Sequence, residues 1–161
     1  MQQLQLLEQL QQIRFIDLFA GIGGFHLALA NQGAKCVFAS EINNNAVKTY
    51  LENHNLLKEN MYGDITLVNP DNIPDHDVLC AGFPCQPFSQ AGQKKGFEDV
   101  RGTLFFNILK ILEAKKPKAY FLENVRGLLK HDNGRTFSII KEQLEGLGYT
   151  FQSFIVKSSD Y

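Results

Sequence analysis

The sequence lacks a disulfide pattern, an excess of charge of either sign and an apolar run long enough to cross a membrane. Its three cysteines are an odd number without paired spacing, which is typical of a protein in a reducing cytosol. Lysine and arginine number 16 against 17 aspartate and glutamate, for a formal net charge of −1. Overall charge therefore gives no reason to expect nucleic-acid binding, which would depend on local basic patches. The longest apolar stretches are the length of strands.

Signals for export and for metal binding are also missing. The first residues do not have the charged-then-apolar layout of a signal peptide, so we expect a cytoplasmic protein. The four histidines show no metal-ligand spacing, and we predict no metal site. We interpret His76 and His131 as surface or turn residues.

Length and composition indicate one globular domain. The chain has 161 residues, of which 44% are hydrophobic and 20% charged, and this is enough for one apolar core. Residues 1–12 differ from the rest because they are rich in glutamine, with leucines at Leu4, Leu7 and Leu10. That spacing predicts a one-sided helix, which either lies on the domain formed by residues 13–161 or binds a partner.

From residue 13 onward, strand-like and helical patterns alternate. Apolar runs typical of strands cover residues 13–19, 35–40, 77–82, 118–123 and 149–156. Helical patterns cover residues 24–32, 43–53, 103–114 and 134–147. Near-continuous apolar strands joined by helices predict an α/β fold, a three-layer sandwich whose parallel sheet is covered on both faces. We expect the strand order 3-2-1-4-5, with the last run at an edge.

A glycine turn follows the first predicted strand. Such a turn lets the backbone approach a ligand at the carboxyl end of the strand. Glu41 ends the second strand, where a carboxylate can accept hydrogen bonds from both hydroxyls of a ribose. These two features fit NAD as well as S-adenosylmethionine, although the spacing differs from the dinucleotide fingerprint. The residues of the turn that we predict to contact a cofactor are Phe19, Ala20, Gly21, Gly23 and Gly24.

Asp64 adds a second candidate contact to a nucleoside. Its carboxylate can accept a hydrogen bond from the amino group of an adenine, and Ile42 and Ile65 can cover the two faces of that ring. The alternative is that Asp64 only caps a turn. Taken together with the glycine turn and Glu41, we interpret these residues as part of a cofactor site.

The stretch from residue 83 to residue 101 is the longest region without clear periodicity, a feature typical of functional loops. It contains Cys85, which stands between two prolines directly after an apolar strand-like run. A cysteine in a stiff loop at the end of a strand suits a nucleophile, and the alternative is a buried, inert thiol. Glu123 ends another apolar run and brings a carboxylate to a strand end as well.

Four motifs, in order along the chain, resemble those of the DNA (cytosine-5)-methyltransferases of bacterial restriction–modification systems. They are Asp-Leu-Phe-Ala-Gly-Ile-Gly-Gly-Phe at 17–25, Gly-Phe-Pro-Cys-Gln-Pro-Phe-Ser at 82–89, Gly-Thr-Leu-Phe-Phe at 102–106 and Glu-Asn-Val at 123–125. The likeness extends from about residue 14 to residue 161. It implies a Rossmann-like fold that binds S-adenosylmethionine, located in the bacterial cytoplasm. The implied reaction transfers the methyl group to carbon 5 of a cytosine in DNA.

The resemblance also implies roles for individual residues. Cys85 is the nucleophile that adds to carbon 6 of the cytosine, so that carbon 5 can attack the methyl group. Glu123 contacts the ring near N3, and we expect partial burial to keep its carboxyl group protonated. Pro84 and Leu104 line the cofactor pocket. Because the target base cannot be reached inside a duplex, it must rotate out into this site.

The loop around Cys85 supplies the candidates for contact with DNA. Gln86 and Ser89 lie beside the nucleophile and are predicted to touch the nucleic acid. Lys94, Lys95 and Arg101 are predicted to bind phosphates. The alternative for these charged residues is an ordinary solvated surface.

The family also has parts that this sequence does not contain. Its members continue with a segment whose arginine helps to hold the base, a target-recognition domain and a C-terminal segment that completes the cofactor pocket. We therefore expect a fold that is incomplete at the C-terminus, a chain that alone is a poor enzyme, and dependence on a downstream segment or a second polypeptide. We favour a fragment of a longer enzyme over a subunit of a split enzyme. The alternative functions are a tRNA cytosine-5 methyltransferase and an inactive cofactor-binding or interaction module.

Overall fold

The computed structural model describes residues 12–84, 104–157 and 159. The chain divides into two compact units. The first unit comprises the chain up to Phe83 together with Ala114–Glu123, and the second comprises Pro84–Glu113 and Asn124–Tyr161. Residues 1–11 of the predicted N-terminal helix lie outside the described residues, and so does the loop from residue 85 to residue 103.

The first unit contains a parallel sheet of five strands, in the order β3-β2-β1-β4-β5. The strands are β1 (Arg14–Leu18), β2 (Lys35–Ser40), β3 (Met61–Tyr62), β4 (Val78–Gly82) and β5 (Ala119–Glu123). β1 is central, and side chains on both of its faces are buried, from Phe15 and Asp17 on one face to Ile16 and Leu18 on the other. A parallel sheet whose central strand is buried on both faces confirms the predicted α/β class.

Two of the strand predictions are wrong in detail. Residues 149–156 were predicted as a strand at an edge, but they have no regular secondary structure. The third place in the order belongs instead to Met61–Tyr62, a strand that the sequence did not reveal because two residues carry no measurable alternation. With the predicted runs numbered along the chain, the order 3-2-1-4-5 placed residues 77–82 at an edge beside residues 35–40, and this is wrong. Residues 77–82 contain β4, which pairs with β1, and residues 118–123 contain β5 at the edge. The observed order reads 3-2-1-4-5 only when Met61–Tyr62 is counted as the third strand.

The four predicted helices are confirmed, each to within two residues at either end. They are α1 (Gly24–Ala30), α2 (Asn44–Asn53), α3 (Leu104–Lys115) and α4 (Arg135–Gly146). α2 begins where it does because the side chain of Asn43 accepts hydrogen bonds from the N–H groups of Asn45 and Ala46. Within the described part of the chain, no helix combines the length and the apolar character that crossing a membrane requires.

α1 and α2 cover one face of the sheet in the first unit. That face carries Phe15 and Asp17 of β1. The helices contribute apolar side chains to its core, with Phe25 and Leu29 from α1 and Tyr50 from α2. The fully or largely buried members of this core are Phe15, Ala20, Cys36, Ala39, Tyr50, Leu56 and Cys80.

The second unit contains α4 and most of α3, together with described residues such as 149–156 that have no regular secondary structure. α4 buries Thr136, Ile140 and Leu144, which lie four residues apart on one face of the helix. The ring of Phe151 returns to α4 and meets the edge of Phe137 with the ring centres 5.5 Å apart. Three consecutive apolar side chains just beyond it, Phe154, Ile155 and Val156, are 78%, 57% and 70% exposed.

Candidate functional site

Residues predicted to bind a cofactor lie at the carboxyl ends of three neighbouring strands. The glycine turn follows β1, Glu41 follows β2, and Asp64 comes two residues after β3. Backbone hydrogen bonds join these strand ends, since the N–H of Ala20 donates to the carbonyl of Ser40 at 3.0 Å and the N–H of Glu41 donates to that of Tyr62 at 2.9 Å. The structure therefore brings these residues to one edge of the sheet, as a site for one ligand requires.

The glycine turn has an unusual backbone. Phe19, Gly21 and Gly23 have φ angles of 54°, 54° and 94°, a region that side-chain-bearing residues rarely adopt. For Phe19 this conformation costs on the order of 1–2 kcal/mol, and such strain is concentrated at functional sites. Gly23 precedes α1, and none of the described side chains caps the start of that helix.

Glu41 fixes the glycine turn to the start of α2. Its Oε2 accepts a hydrogen bond from the N–H of Gly21 at 2.8 Å, and its Oε1 accepts one from the N–H of Asn43 at 2.8 Å. Each carboxylate oxygen can accept about two hydrogen bonds. The two oxygens are therefore oriented by the protein and retain acceptor capacity for a ligand's hydroxyl groups.

Asp64 caps a turn, which is the alternative interpretation of this residue from the sequence. The cap involves only one of its two carboxylate oxygens. Its Oδ1 accepts from the hydroxyl of Thr66 at 2.7 Å and from the N–H of Thr66 at 2.9 Å. These hydrogen bonds hold the pKa of Asp64 below its usual value, so the group is an acceptor at neutral pH. Ile42 is 73% exposed, whereas Ile65 is 5% exposed and would offer a ring little surface.

Glu123 lies at the same edge of the sheet, on β5. It pairs in register with Gly82 of β4, and a Cβ placed on Gly82 would lie 3.5 Å from its Oε2. Its side chain is exposed, which corrects the partial burial expected from the sequence. The reason is the position of β5, which stands last in the sheet and has one neighbouring strand.

The remaining predicted residues fall in the second unit or outside the described residues. Pro84 is exposed and follows β4 by two residues, and Leu104 is the half-buried first residue of α3. The predicted nucleophile and all of the predicted DNA contacts lie outside the described residues; these are Cys85, Gln86, Ser89, Lys94, Lys95 and Arg101.

A buried polar network beside the glycine turn was missed from the sequence. The hydroxyl of Tyr50 donates to Oδ2 of Asp17 at 3.3 Å, and the same hydroxyl lies 2.8 Å from Nδ1 of His26. Because the one hydroxyl proton points to Asp17, the oxygen of Tyr50 accepts from His26. The available signal was Asp17 itself, a charged residue inside an apolar strand, which requires partners when buried.

Burial dominates the electrostatics of this network. Loss of solvent raises the pKa of Asp17 to about 7, and the negative charge of Glu41 adds to the rise, while the hydrogen bond from Tyr50 opposes it. Burial and, to a smaller extent, the neighbouring His54 lower the pKa of His26 to about 4. Both shifts favour the uncharged form of the group.

The cysteines in the described residues are core residues. Cys36 and Cys80 are both buried and free. Burial raises the pKa of Cys36 to about 11 and also raises that of Cys80, so neither is a ready nucleophile. This leaves Cys85 as the candidate for nucleophilic chemistry.

The surface interpretation of His76 is wrong. It is 6% exposed, and its Nδ1–H donates to the carbonyl of Pro74 at 2.8 Å in the segment before β4. This local hydrogen bond allows the ring to be buried. His131 lies in the turn region before α4, as expected, and its Nδ1 is 2.7 Å from the hydroxyl of Thr136.

Comparison with known sequences identifies what this arrangement resembles. The sequence model of a family described as C-5 cytosine-specific DNA methylase matches residues 13–161. The chain is 51% identical over 154 residues to the Type II methyltransferase M.HhaI of Haemophilus parahaemolyticus, covering 96% of this chain and 46% of that protein. It is 54% identical over 150 residues to M.NlaX of Neisseria lactamica, covering 92% and 47%. The chain spans about half the length of the curated relatives it matches.

A solved structure supports the same relationship. The crystal structure of the S. pombe Dnmt2 methyltransferase matches with a TM-score of 0.60 and 29% sequence identity. The match covers 81% of this chain and 41% of that chain. The likeness thus includes most of the chain and less than half of the larger protein.

Proposed function

Because this chain belongs to the C-5 cytosine-specific DNA methylases, we propose that it is the S-adenosylmethionine-binding and catalytic portion of a bacterial DNA (cytosine-5)-methyltransferase. The observation that carries the proposal is the carboxylate of Glu41, held between the N–H groups of Gly21 and Asn43 at the carboxyl ends of two strands. The names of the curated relatives as Type II methyltransferases favour a role in a restriction–modification system in the cytoplasm.

The residues present fit S-adenosylmethionine. Glu41 has acceptor capacity for the ribose hydroxyls, and Asp64 has a second carboxylate oxygen for the adenine amino group. Ile42 offers an exposed apolar side chain to the ring. The backbone of the glycine turn can approach the cofactor at Gly21, where the space that a Cβ would occupy is open. When bound, the cofactor supplies an electrophilic methyl group.

Cys85 is the proposed nucleophile. Its thiolate forms a bond to carbon 6 of the cytosine, and the electrons of the ring double bond then make carbon 5 nucleophilic. After carbon 5 has accepted the methyl group, loss of its proton and breaking of the bond from sulfur to carbon 6 restore the ring. The thiol must ionise to react, because the thiolate is the nucleophile.

Glu123 is the proposed partner of the cytosine ring near N3. Its exposed position at the end of β5 leaves it accessible to a base that has rotated out of the duplex. A protonated carboxyl group there would donate to the ring as charge develops on it.

Contacts with DNA remain part of the proposal. We assign them to Gln86 and Ser89 beside the nucleophile and to Lys94, Lys95 and Arg101 for the phosphates. Since the relatives are about twice as long as this chain, we propose that reading of the target sequence depends on a downstream segment or a second polypeptide.

Cofactor binding is tested first. Titration calorimetry with S-adenosylmethionine should show binding by the parent chain and a loss of at least about tenfold in Glu41→Ala, because a charged acceptor has been removed. Glu52→Ala is the matched control, because Glu52 is an exposed glutamate of α2 whose described ion pair is with Lys48. Equal binding by parent and Glu41→Ala would contradict the assignment.

Catalysis is tested by radiolabelled methyl transfer to mixed-sequence DNA, with and without a polypeptide equivalent to the second half of the relatives. Cys85→Ala should abolish transfer and covalent trapping on 5-fluorocytosine DNA, while cofactor binding persists. Glu123→Gln should slow transfer by about 10²-fold or more. Normal turnover by Cys85→Ala would rule out the covalent mechanism, and methylation of tRNA in place of DNA would assign the other substrate.

A further inference from the structure

We propose that His54 is the positioning residue of the glycine turn, holding the backbone of Ile22 and Gly23 in the shape that receives the cofactor. The proposal rests on the proposed function of this turn as a binding site. His54 itself directly follows α2 and touches the turn from the side of that helix.

A direct hydrogen bond joins His54 to the turn. Nε2 of His54 lies 2.9 Å from the carbonyl oxygen of Ile22. A carbonyl can only accept, so Nε2 carries the proton and donates it. This bond connects two segments that are 32 residues apart in sequence.

The ring of His54 also accounts for the glycine at position 23. A Cβ placed on Gly23 would collide with the imidazole, whose Nε2 and Cδ2 are the nearest atoms. Space at that position is therefore already filled by His54. The positive φ of 94° at Gly23 is a separate reason for glycine, since it disfavours any side chain.

The ring is itself held in place by its neighbours. It stacks on His26 of α1 with the ring centres 4.4 Å apart, and the edge contact with Tyr50 of α2 has centres 4.8 Å apart. The backbone N–H of His54 donates to the carbonyl of Tyr50 at 2.9 Å, which fixes the end of α2. His54 is thus a rigid support and can transmit its position to the turn.

The turn needs such support because its own sequence provides little. Three of its residues have positive φ angles, and the helix that follows has no cap at Gly23 from any side chain that the structure describes. A strained backbone of this kind persists only when surrounding contacts determine it. His54 supplies a side-chain contact at Ile22 and Gly23, just as Glu41 supplies one at Gly21.

The test compares His54→Ala and His54→Gln with the parent chain. S-adenosylmethionine affinity is measured by calorimetry, and amide hydrogen exchange is measured by NMR at Gly21, Gly23 and Gly24. His54→Ala should weaken binding about fivefold to tenfold, as loss of one hydrogen bond does, and speed exchange in the turn. His54→Gln keeps an N–H donor and should recover at least half of the lost affinity on a logarithmic scale.

His131→Ala is the matched control, because that histidine also makes one short side-chain hydrogen bond, to Thr136 in the second unit. It should leave S-adenosylmethionine affinity and exchange in the turn unchanged. A general loss of stability in His54→Ala would speed exchange in β1 as much as in the turn. That pattern, or unchanged exchange in the turn, would overturn the proposal.

A double-variant cycle tests the contact without any cofactor. In the parent chain, Gly23→Ala should speed amide exchange at Gly21 and Gly24. In the His54→Ala background the same substitution should speed it by a smaller factor, because the collision with the imidazole is gone and only the strain from the positive φ remains. Equal factors in both backgrounds would overturn the proposal. If the parent chain does not bind S-adenosylmethionine, the proposed function fails, and this cycle still decides whether His54 holds the turn.

Discussion

At the scale of single residues, the network beside the glycine turn contains an acid, Asp17, and a base, His26. The pKa of each is shifted in the direction that favours its uncharged form. Asp17 has a pKa of about 7 where 3.8 is usual, and His26 has a pKa of about 4 where 6.5 is usual. Each displacement makes the free energy of unfolding depend on pH, because the folded and unfolded chains hold different numbers of protons.

The two groups have opposite effects on stability over the same range of pH. Between about pH 4 and pH 7, the folded chain keeps a proton on Asp17 that the unfolded chain releases, so this group lowers stability as pH rises. Between about pH 4 and pH 6.5, the unfolded chain binds a proton on His26 that the folded chain does not, so this group lowers stability as pH falls. In the parent chain these two opposite changes in the free energy of unfolding with pH partly cancel.

Substitution of either residue should reveal how the other makes the free energy of unfolding depend on pH. In Asp17→Asn, the free energy of unfolding should rise with pH between 4 and 6.5, and in His26→Gln it should fall with pH between 4 and 7. Each pKa unit corresponds to about 1.4 kcal/mol. Urea unfolding at a series of pH values measures this, with the exposed Glu52→Gln as control, and parallel profiles for the two variants would refute it.

The sequence predicted where the candidate residues in local motifs lie in the fold and missed the contacts that packing creates. The glycine turn and Glu41 follow strands that the pattern had already located, so their place at one edge of the sheet could be expected. Tyr50 lies 33 residues after Asp17 and 24 residues after His26, and it meets them because α1 and α2 cover the same face of the sheet. Periodicity and spacing carry no information about that meeting.

At the scale of secondary-structure elements, the stability of α2 depends on the cap at its N-terminus. The side chain of Asn43 accepts from the N–H groups of Asn45 and Ala46, at 2.9 and 3.2 Å. Asn43→Ala should therefore lower the free energy of unfolding by about 1 kcal/mol, whereas Asn43→Ser should retain most of it.

Thermal unfolding followed by circular dichroism measures this effect. Asn45→Ala is the control, because it lies inside the helix, where alanine is favoured and no cap is removed. A loss in Asn45→Ala as large as that in Asn43→Ala would contradict a capping role.

Helices were more predictable than strands for a physical reason. A helix satisfies its hydrogen bonds within one segment, so its period and caps are written in the local sequence. A strand needs a neighbouring strand, and residues 149–156 find none in the described residues despite their apolar character. Met61–Tyr62 becomes a strand because β2 offers it an edge, with Ala39 and Ser40 as its partners.

At the scale of the whole molecule, the three consecutive exposed apolar side chains at Phe154, Ile155 and Val156 favour association. The chain should show a concentration-dependent increase in mass by sedimentation. Phe154→Ser combined with Val156→Ser should reduce that increase. Leu67→Ser is the control, because Leu67 is 84% exposed but stands between Thr66 and the half-buried Val68, outside any run of exposed apolar side chains. A monomer at all concentrations, or an equal effect of Leu67→Ser, would refute the prediction.

The strand order has a consequence for folding of the chain during its synthesis on the ribosome. β1 is made first and stands in the centre of the sheet, with β2 on one side and β4 on the other. Its pairing with β2 can form early, but its second edge has no partner until Val78–Gly82 has emerged. At usual rates of synthesis this takes roughly two to eight seconds more. The nascent chain must therefore pass through a stage in which β1, the central strand of the finished sheet, is still an edge strand.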